Sequence, residues 1–95
     1  MKRVLAIDPI TRGFGFAVLD DPEHLIDWGL RGTSRAIRVR EEWCLRRITD
    51  LIETYGPDRI VVEDCLDSRS RRGRRSQSLI ERIVALAARR GVVAR

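Results

Sequence analysis

An α/β domain is what this sequence predicts: a three-stranded antiparallel meander, then helix, strand and helix with parallel strand pairing, and the start of a fifth strand. Three observations predict it. The apolar runs RVLAID at 3–8 and DRIVVED at 58–64 both end in acids and have the composition of buried parallel strands. Two further strand-like segments follow the first run after only short turn-forming stretches, which forces antiparallel hairpins. From Ser34 onward the apolar period changes to that of a helix.

Taken in order, Arg3 to Asp8 forms the first strand and Pro9 to Gly13 a turn. Phe14 to Leu19 (FGFAVL) forms the second strand, Asp20-Asp21-Pro22 a turn, and Leu25 to Leu30 (LIDWGL) the third strand. Ile37, Cys44, Ile48, Leu51, Ile52 and Tyr55 mark one face of a helix that starts at Ser34 and is stopped by Gly56-Pro57. The fourth strand, 58–64, is then parallel to the first through a right-handed crossover. An arginine-rich loop follows. Leu79, Ile80, Ile83, Val84, Leu86 and Ala87 mark a second helix, with Ser76 or Ser78 near its cap and Gly91 at its end. Val92-Val93-Ala94 begins a fifth strand. Both parallel strands are expected to be covered on two faces.

A chain of 95 residues allows one small domain, 1–95. Hydrophobic residues at 43% and charged residues at 35% exclude a disordered chain. No apolar run has membrane-spanning length, so the protein is expected to be cytoplasmic. Cys44 and Cys65 read as core hydrophobes or plain thiols of a reducing compartment. Net charge is +5, and Arg69, Arg71, Arg72, Arg74 and Arg75 carry as much, leaving a body that is neutral in sum. Such a local cluster points to a polyanionic partner.

Two carboxylates can carry chemistry. Asp8 ends the first strand and Glu63 the fourth, so parallel pairing puts both at the carboxyl edge of the sheet, where open α/β sheets place ligands. Strands lie ~4.8 Å apart, close enough for two acids to share a cation. Oxygen-only ligands favour Mg²⁺ or Mn²⁺, and sites of this kind serve phosphodiester cleavage. Either acid alone reads as a strand terminus at the solvent boundary; the pair reads as a site. Asp64 points the other way. The Arg69–Arg75 loop leaves the sheet just past Glu63 and reads as a nucleic-acid contact, against the plainer reading of a solvated charge run. Ser68, Ser70 and Ser76 offer added phosphate contacts. Thr11 and Arg12, in the turn beside Asp8, are further candidates for the nucleic-acid backbone, while Gly13 and Gly15 meet turn and packing needs. Phe14, Phe16, Trp28 and Trp43 read as core rather than base-stacking platforms, and His24 as exposed in a turn.

With these residues in view, LAIDPITRGFGFAVLD resembles the opening motif of RuvC-like Holliday-junction resolvases: an apolar strand, Asp-Pro-Gly-Ser/Thr, a few residues, then Gly. PDRIVVEDC resembles the second motif, in which an acid ends the fourth strand. The resemblance covers nearly all of this chain but only the first half to two-thirds of a family domain. It implies an RNase H-like fold, with Asp8 and Glu63 as catalytic, metal-binding acids. The implied activity is a Mg²⁺-dependent (or Mn²⁺-dependent), structure-specific endonuclease acting on branched or junction DNA in recombination and repair, usually as a dimer. RNA stays open as a substrate.

Two departures bear on this. Ile10 stands where the family has glycine, and its β-branch is expected to crowd the turn. The family's remaining catalytic acids lie on a late helix, and nothing after Gly91 is acidic. Asp20, Asp64 and Asp67 are the nearby substitutes, so this chain alone is expected to cleave junctions poorly or not at all. It is also expected to pair through an unfinished sheet edge. A non-catalytic nucleic-acid-binding or assembly module of the same fold is the competing reading. An actin-like or sugar-kinase-like ATPase is a third, but Ile10 does not suit its phosphate-cradling turn.

Overall fold

Alternation along the strands decides which side of the sheet becomes the core. The computed structural model describes residues 2–10, 12–21, 24–34, 36–62 and 74–94, without the side chains at 37, 38 and 74–77. In it, β1 (Arg3–Ile10), β2 (Gly13–Asp20) and β3 (His24–Gly32) form the meander. They are followed by α1 (Ile37–Tyr55), β4 (Arg59–Val62), α2 (Arg74–Arg89) and β5 (Val93–Ala94). The five strands make one sheet in the order β3-β2-β1-β4-β5. β1–β2 and β2–β3 are antiparallel, whereas β1–β4 and β4–β5 are parallel. This is the predicted fold class.

Leu5, Ile7 and Pro9 of β1 face Val18, Phe16 and Phe14 of β2. On the other flank Leu5 and Ile7 face Ile60 and Val62 of β4. Those side chains are buried, together with Cys44, Ile48, Leu51 and Ile52 of α1 and Leu79, Ile83, Leu86 and Ala87 of α2. Both helices therefore cover one face of the sheet. Burying each large apolar side chain is worth about 1.5–3 kcal/mol. The opposite face carries Val4, Ala6, Ala17 and Leu19, half-buried, and Trp28, Leu30 and Val61, exposed. Among the described residues no helix covers it, which corrects the expectation of two covered faces. Trp28, 69% exposed, is likewise not core; it sits on an edge strand where no layer is built over it. Trp43 packs against the core, with the Arg47 guanidinium 5.5 Å from its ring centre.

The ends of elements moved more than their centres. β1 runs on through Pro9 and Ile10 to pair with Phe14 and Gly13, so the turn is shorter than predicted. Ile10 favours this, because a β-branched residue prefers extended backbone. His24 opens β3 rather than lying in a turn, and is exposed as expected. α1 begins at Ile37, not Ser34, with no side-chain cap at Ala36. It ends as predicted: Gly56 is left-handed (φ 55°), and its N–H donates to the Ile52 carbonyl at 2.8 Å. α2 starts at Arg74, well before its first apolar residue, so Ser76 and Ser78 lie inside the helix rather than at its cap. Arginine and glutamine are good helix formers and extend the helix beyond the stripe that packs.

Polar contacts fasten the layers. Arg3 holds Asp20 through two hydrogen bonds of 2.8 and 2.9 Å and donates a third to the Tyr55 carbonyl at 2.8 Å. Arg82 of α2 donates to Glu41 of α1 at 3.0 Å and to Glu42. The Tyr55 hydroxyl donates to the Asp27 carboxylate at 2.5 Å, tying the end of α1 to β3. That bond, and next the Trp28 N–H, pull the Asp27 carboxyl below its usual range, while holding the proton on Tyr55 pushes the phenol up. A depressed Asp contributes stability that is present above its unfolded value, ~3.9, and lost as pH falls through the folded one. A raised Tyr contributes stability that is present below its unfolded value, ~10, and lost as pH rises through the folded one. Tyr55→Phe should therefore lower the urea midpoint across neutral pH, with the gap to wild type closing below about pH 4 and above about pH 10. A gap of equal size from pH 2 to 11 would show that the pair does not act through titration.

Candidate active site

Because Leu5, Ile7 and Pro9 point toward the helices, Ala6 and Asp8 point to the other face. Across β2, Asp8 faces Gly15, and Gly15 faces Leu30 of β3. With no side chain at 15, the Leu30 side chain closes over the position beside Asp8; a Cβ there would lie 3.3 Å from Leu30 Cδ2. On the other flank, among the described residues, β4 pairs with β1 from Val4↔Arg59 to Ile7↔Val62. Asp8 is half-buried and its Oδ1 is enclosed by protein. It does not end β1, as expected from sequence, but stands two residues before the end.

The predicted candidates divide sharply. Asp8 and Arg12 are described, Arg12 exposed in the β1–β2 turn. Arg74 and Arg75 are the first residues of α2, so this part of the arginine cluster is helix rather than loop. Their side chains, and Thr11, Glu63, Asp64, Cys65, Asp67, Ser68, Arg69, Ser70, Arg71 and Arg72, lie outside the described residues. Cys44 is buried in the core, as expected. Asp20 is removed from contention: it pairs with Arg3 at the opposite end of β1, about 17 Å from Asp8 at ~3.3 Å per residue. Its carboxyl lies below the usual range because Arg3 holds it. Among the described residues, no three His, Cys, Asp or Glu side chains converge on a point that could hold a metal.

Topology polarises the molecule. β1, β3 and β4 run in the same direction and finish at the edge where Asp8 stands. The crossover helices α1 and α2 run back from that edge, which places the positive ends of both helix dipoles there. Arg12, Arg31 and Arg40 belong to this edge with Glu41 and Glu42; Asp20, Asp21, Glu53 and Asp58 belong to the other with Lys2, Arg3, Arg59, Arg89 and Arg90, so it is the helix dipoles and not the side-chain charges that set the polarity. Arg31 was missed by sequence reading. Its guanidinium lies 4.9 Å from the Phe16 ring centre and donates to the Leu30 carbonyl at 3.0 Å.

No protein-family model matches the sequence, and no curated protein matches it. Solved structures do. The chain is similar to Thermus thermophilus RuvC, with 18% identity and a TM-score of 0.80, over 97% of this chain and 61% of that one. It is also similar to T. thermophilus RuvC in complex with Holliday junction substrate, with 19% identity and a TM-score of 0.78, over 99% of this chain and 62% of that one. The chain thus spans about three fifths of the length of these structures. A meander, a helical crossover and a parallel fourth strand, superposed over almost every residue, give this chain the RNase H-like α/β fold of RuvC.

Proposed function

We propose that residues 1–95 act as one domain of a metal-dependent endonuclease of the resolvase type. In this reading Asp8 and Glu63 are the metal-binding catalytic acids and branched DNA is the substrate. What supports it is the register: Ile7 of β1 pairs with Val62 of β4, and these are the residues that precede Asp8 and Glu63 in the sequence. The donor chemistry fits a hard divalent cation, Mg²⁺ or Mn²⁺. Asp8 offers carboxylate oxygens, one of them enclosed by protein. Such a cation, when bound, activates water and offsets charge at the scissile phosphate.

The chain's own residues hold and orient. Asp8 sits on the strand with neighbours on both sides, which fixes its backbone. Thr11, Arg12 and the cluster Arg69, Arg71, Arg72, Arg74 and Arg75 would take backbone phosphates, adding affinity without sequence preference. A homodimer and a cytoplasmic location belong to the same reading. Among the described residues, no helix is long and apolar enough to cross a membrane.

The test is cleavage of a labelled four-way junction and of a linear duplex of the same sequence, each with Mg²⁺, Mn²⁺ or chelator. Metal-dependent cutting confined to the junction is expected. Junction binding without cutting under either cation would overturn the nuclease reading in favour of a non-catalytic module. Equal cutting of both DNAs would overturn the substrate.

A further inference from the structure

The sheet face away from the helices holds most of the exposed large apolar side chains among the described residues. Ile10, Trp28, Leu30, Val61 and Val93 lie on it, Trp28 and Leu30 at 69% and 70% exposure. Among the described strand residues of this face, only Asp8 and Arg59 are charged. From β3 to β4 the face is four strands wide and about seven residues long, on the order of 400 Å² before side-chain relief is added. The largest apolar patch that a monomer leaves exposed is roughly 300–600 Å². Two such faces laid together bury on the order of 1,000 Å², the low end of specific interfaces, which suits a reversible dimer.

Register sorts the face into rows. Val61, Ala6, Ala17 and Trp28 form the middle row. Arg59, Val4, Leu19 and Leu25 form the row on one side of it. Asp8, Gly15 and Leu30 form the row on the other side. A two-fold axis lying along the middle row, across the strands, exchanges the two outer rows. It sets Trp28 against Trp28 of the second copy, and Leu30 over that copy's row of Leu19 and Leu25. Asp8 then stands opposite Val4 of the second copy, with Arg59 of that copy one strand to the side. Packed sheets lie ~10 Å apart and strands ~4.8 Å, so facing side chains of this length can meet. Each contact occurs twice, as a self-complementary interface requires.

The charges argue against a nucleic-acid strand on this face. Its phosphates would meet the Asp8 carboxylate, and Arg59 is the one cation among the face's described strand residues. A second copy answers both charges at once. The ion pairs among the described residues are made by Arg3, Arg47, Arg82 and Arg90, so none of them engages Arg59.

We propose that a second copy of this chain covers the open sheet face, in a two-fold dimer centred on the Ala6–Ala17–Trp28 row, with Asp8 of each copy beside Arg59 of the other. This dimer covers Asp8, so it is a resting form and not the arrangement that would meet DNA. It also differs from pairing through a sheet edge, which would leave Trp28 exposed.

The experiment is sedimentation of the whole chain across a concentration series, with thermal melts as a fold control. Association should stop at the dimer, with a dissociation constant of about 10–100 µM. Trp28→Ser should weaken it about tenfold or more. Asp8→Lys and Arg59→Glu should each weaken it several-fold, and the two together should restore most of the loss. A second measurement leaves the interface unaltered. With Trp43→Phe, so that Trp28 alone emits, the indole should become shielded from acrylamide as the dimer forms. A chain that stays monomeric, or a dimer unchanged by Trp28→Ser, would overturn the proposal. So would a dimer whose Trp28 stays open to quencher. A double charge variant no tighter than the single ones would overturn the two-fold arrangement. Junction cutting is scored separately: cutting without a dimer removes this interface and leaves the nuclease reading, and a dimer without cutting does the reverse.

Discussion

Replacing Asp8 by Asn is expected to lower metal-dependent junction cleavage by about 10²–10⁴-fold, the rate equivalent of several kcal/mol of charge stabilisation at the phosphate. The substitution keeps shape and removes only the negative charge that would hold a divalent cation. It should leave the fold intact, because Asp8 points away from the helices and the core uses its neighbours Ile7 and Pro9 instead. A second readout is independent of catalysis. A cation that binds only the folded chain, present at about ten times its dissociation constant, adds about 1.4 kcal/mol of stability. For a domain of this size that is a rise in melting temperature of roughly 6–11 °C. Wild type should show the rise with Mn²⁺ and Asp8→Asn should not. Equal rises in both would place the metal elsewhere, and full cleavage by the variant would remove Asp8 from the chemistry.

Gly13→Ala should be the most damaging single-methyl change at the sheet, costing about 3 kcal/mol or roughly 12–24 °C in melting temperature. The cause is collision and not backbone conformation, since Gly13 is not among the residues with positive φ. The added Cβ would meet the Arg31 carbonyl oxygen at 1.9 Å and the Gly32 Cα at 2.8 Å. These are backbone atoms that cannot swing aside, so β3 must part from β2 at that end. Gly56→Ala is the matched comparison. Its Cβ would meet nothing within 4 Å, and its cost comes only from the left-handed φ of 55°, about 1 kcal/mol. Paired denaturation curves decide the matter. A Gly13→Ala variant no less stable than Gly56→Ala would mean that β3 separates from β2 at little cost.

What could be read from sequence was whatever periodicity encodes. The alternation Leu5, Ile7 and Phe14, Phe16, Val18 and the helical stripe Cys44, Ile48, Leu51, Ile52 are buried as their spacing requires. Strand order followed from turn length and the helical crossover. Termini did not, because a pattern marks where packing starts and not where hydrogen bonding starts. Arg74 and Arg75 look like loop until the helix is seen to precede its own apolar face. Trp28 looks like core because composition cannot report that its strand lies at the edge. Asp8 was visible as an acid after an apolar run. The seat of Arg31 was not, since it depends on Gly29 and Phe16 meeting across a β2–β3 register that shifts between Val18 and Leu19.

The strand order has a consequence for amide hydrogen exchange. β1 is bonded to β2 on one side and β4 on the other, and its alternate side chains lie in the core. β3 has one neighbouring strand, and every described residue in it is exposed or half-buried. Amides of β1 should therefore exchange only when the whole domain opens, while those on the outer side of β3 exchange through local fraying. The carboxylate of Asp8 is thus mounted on the slowest-opening part of the molecule.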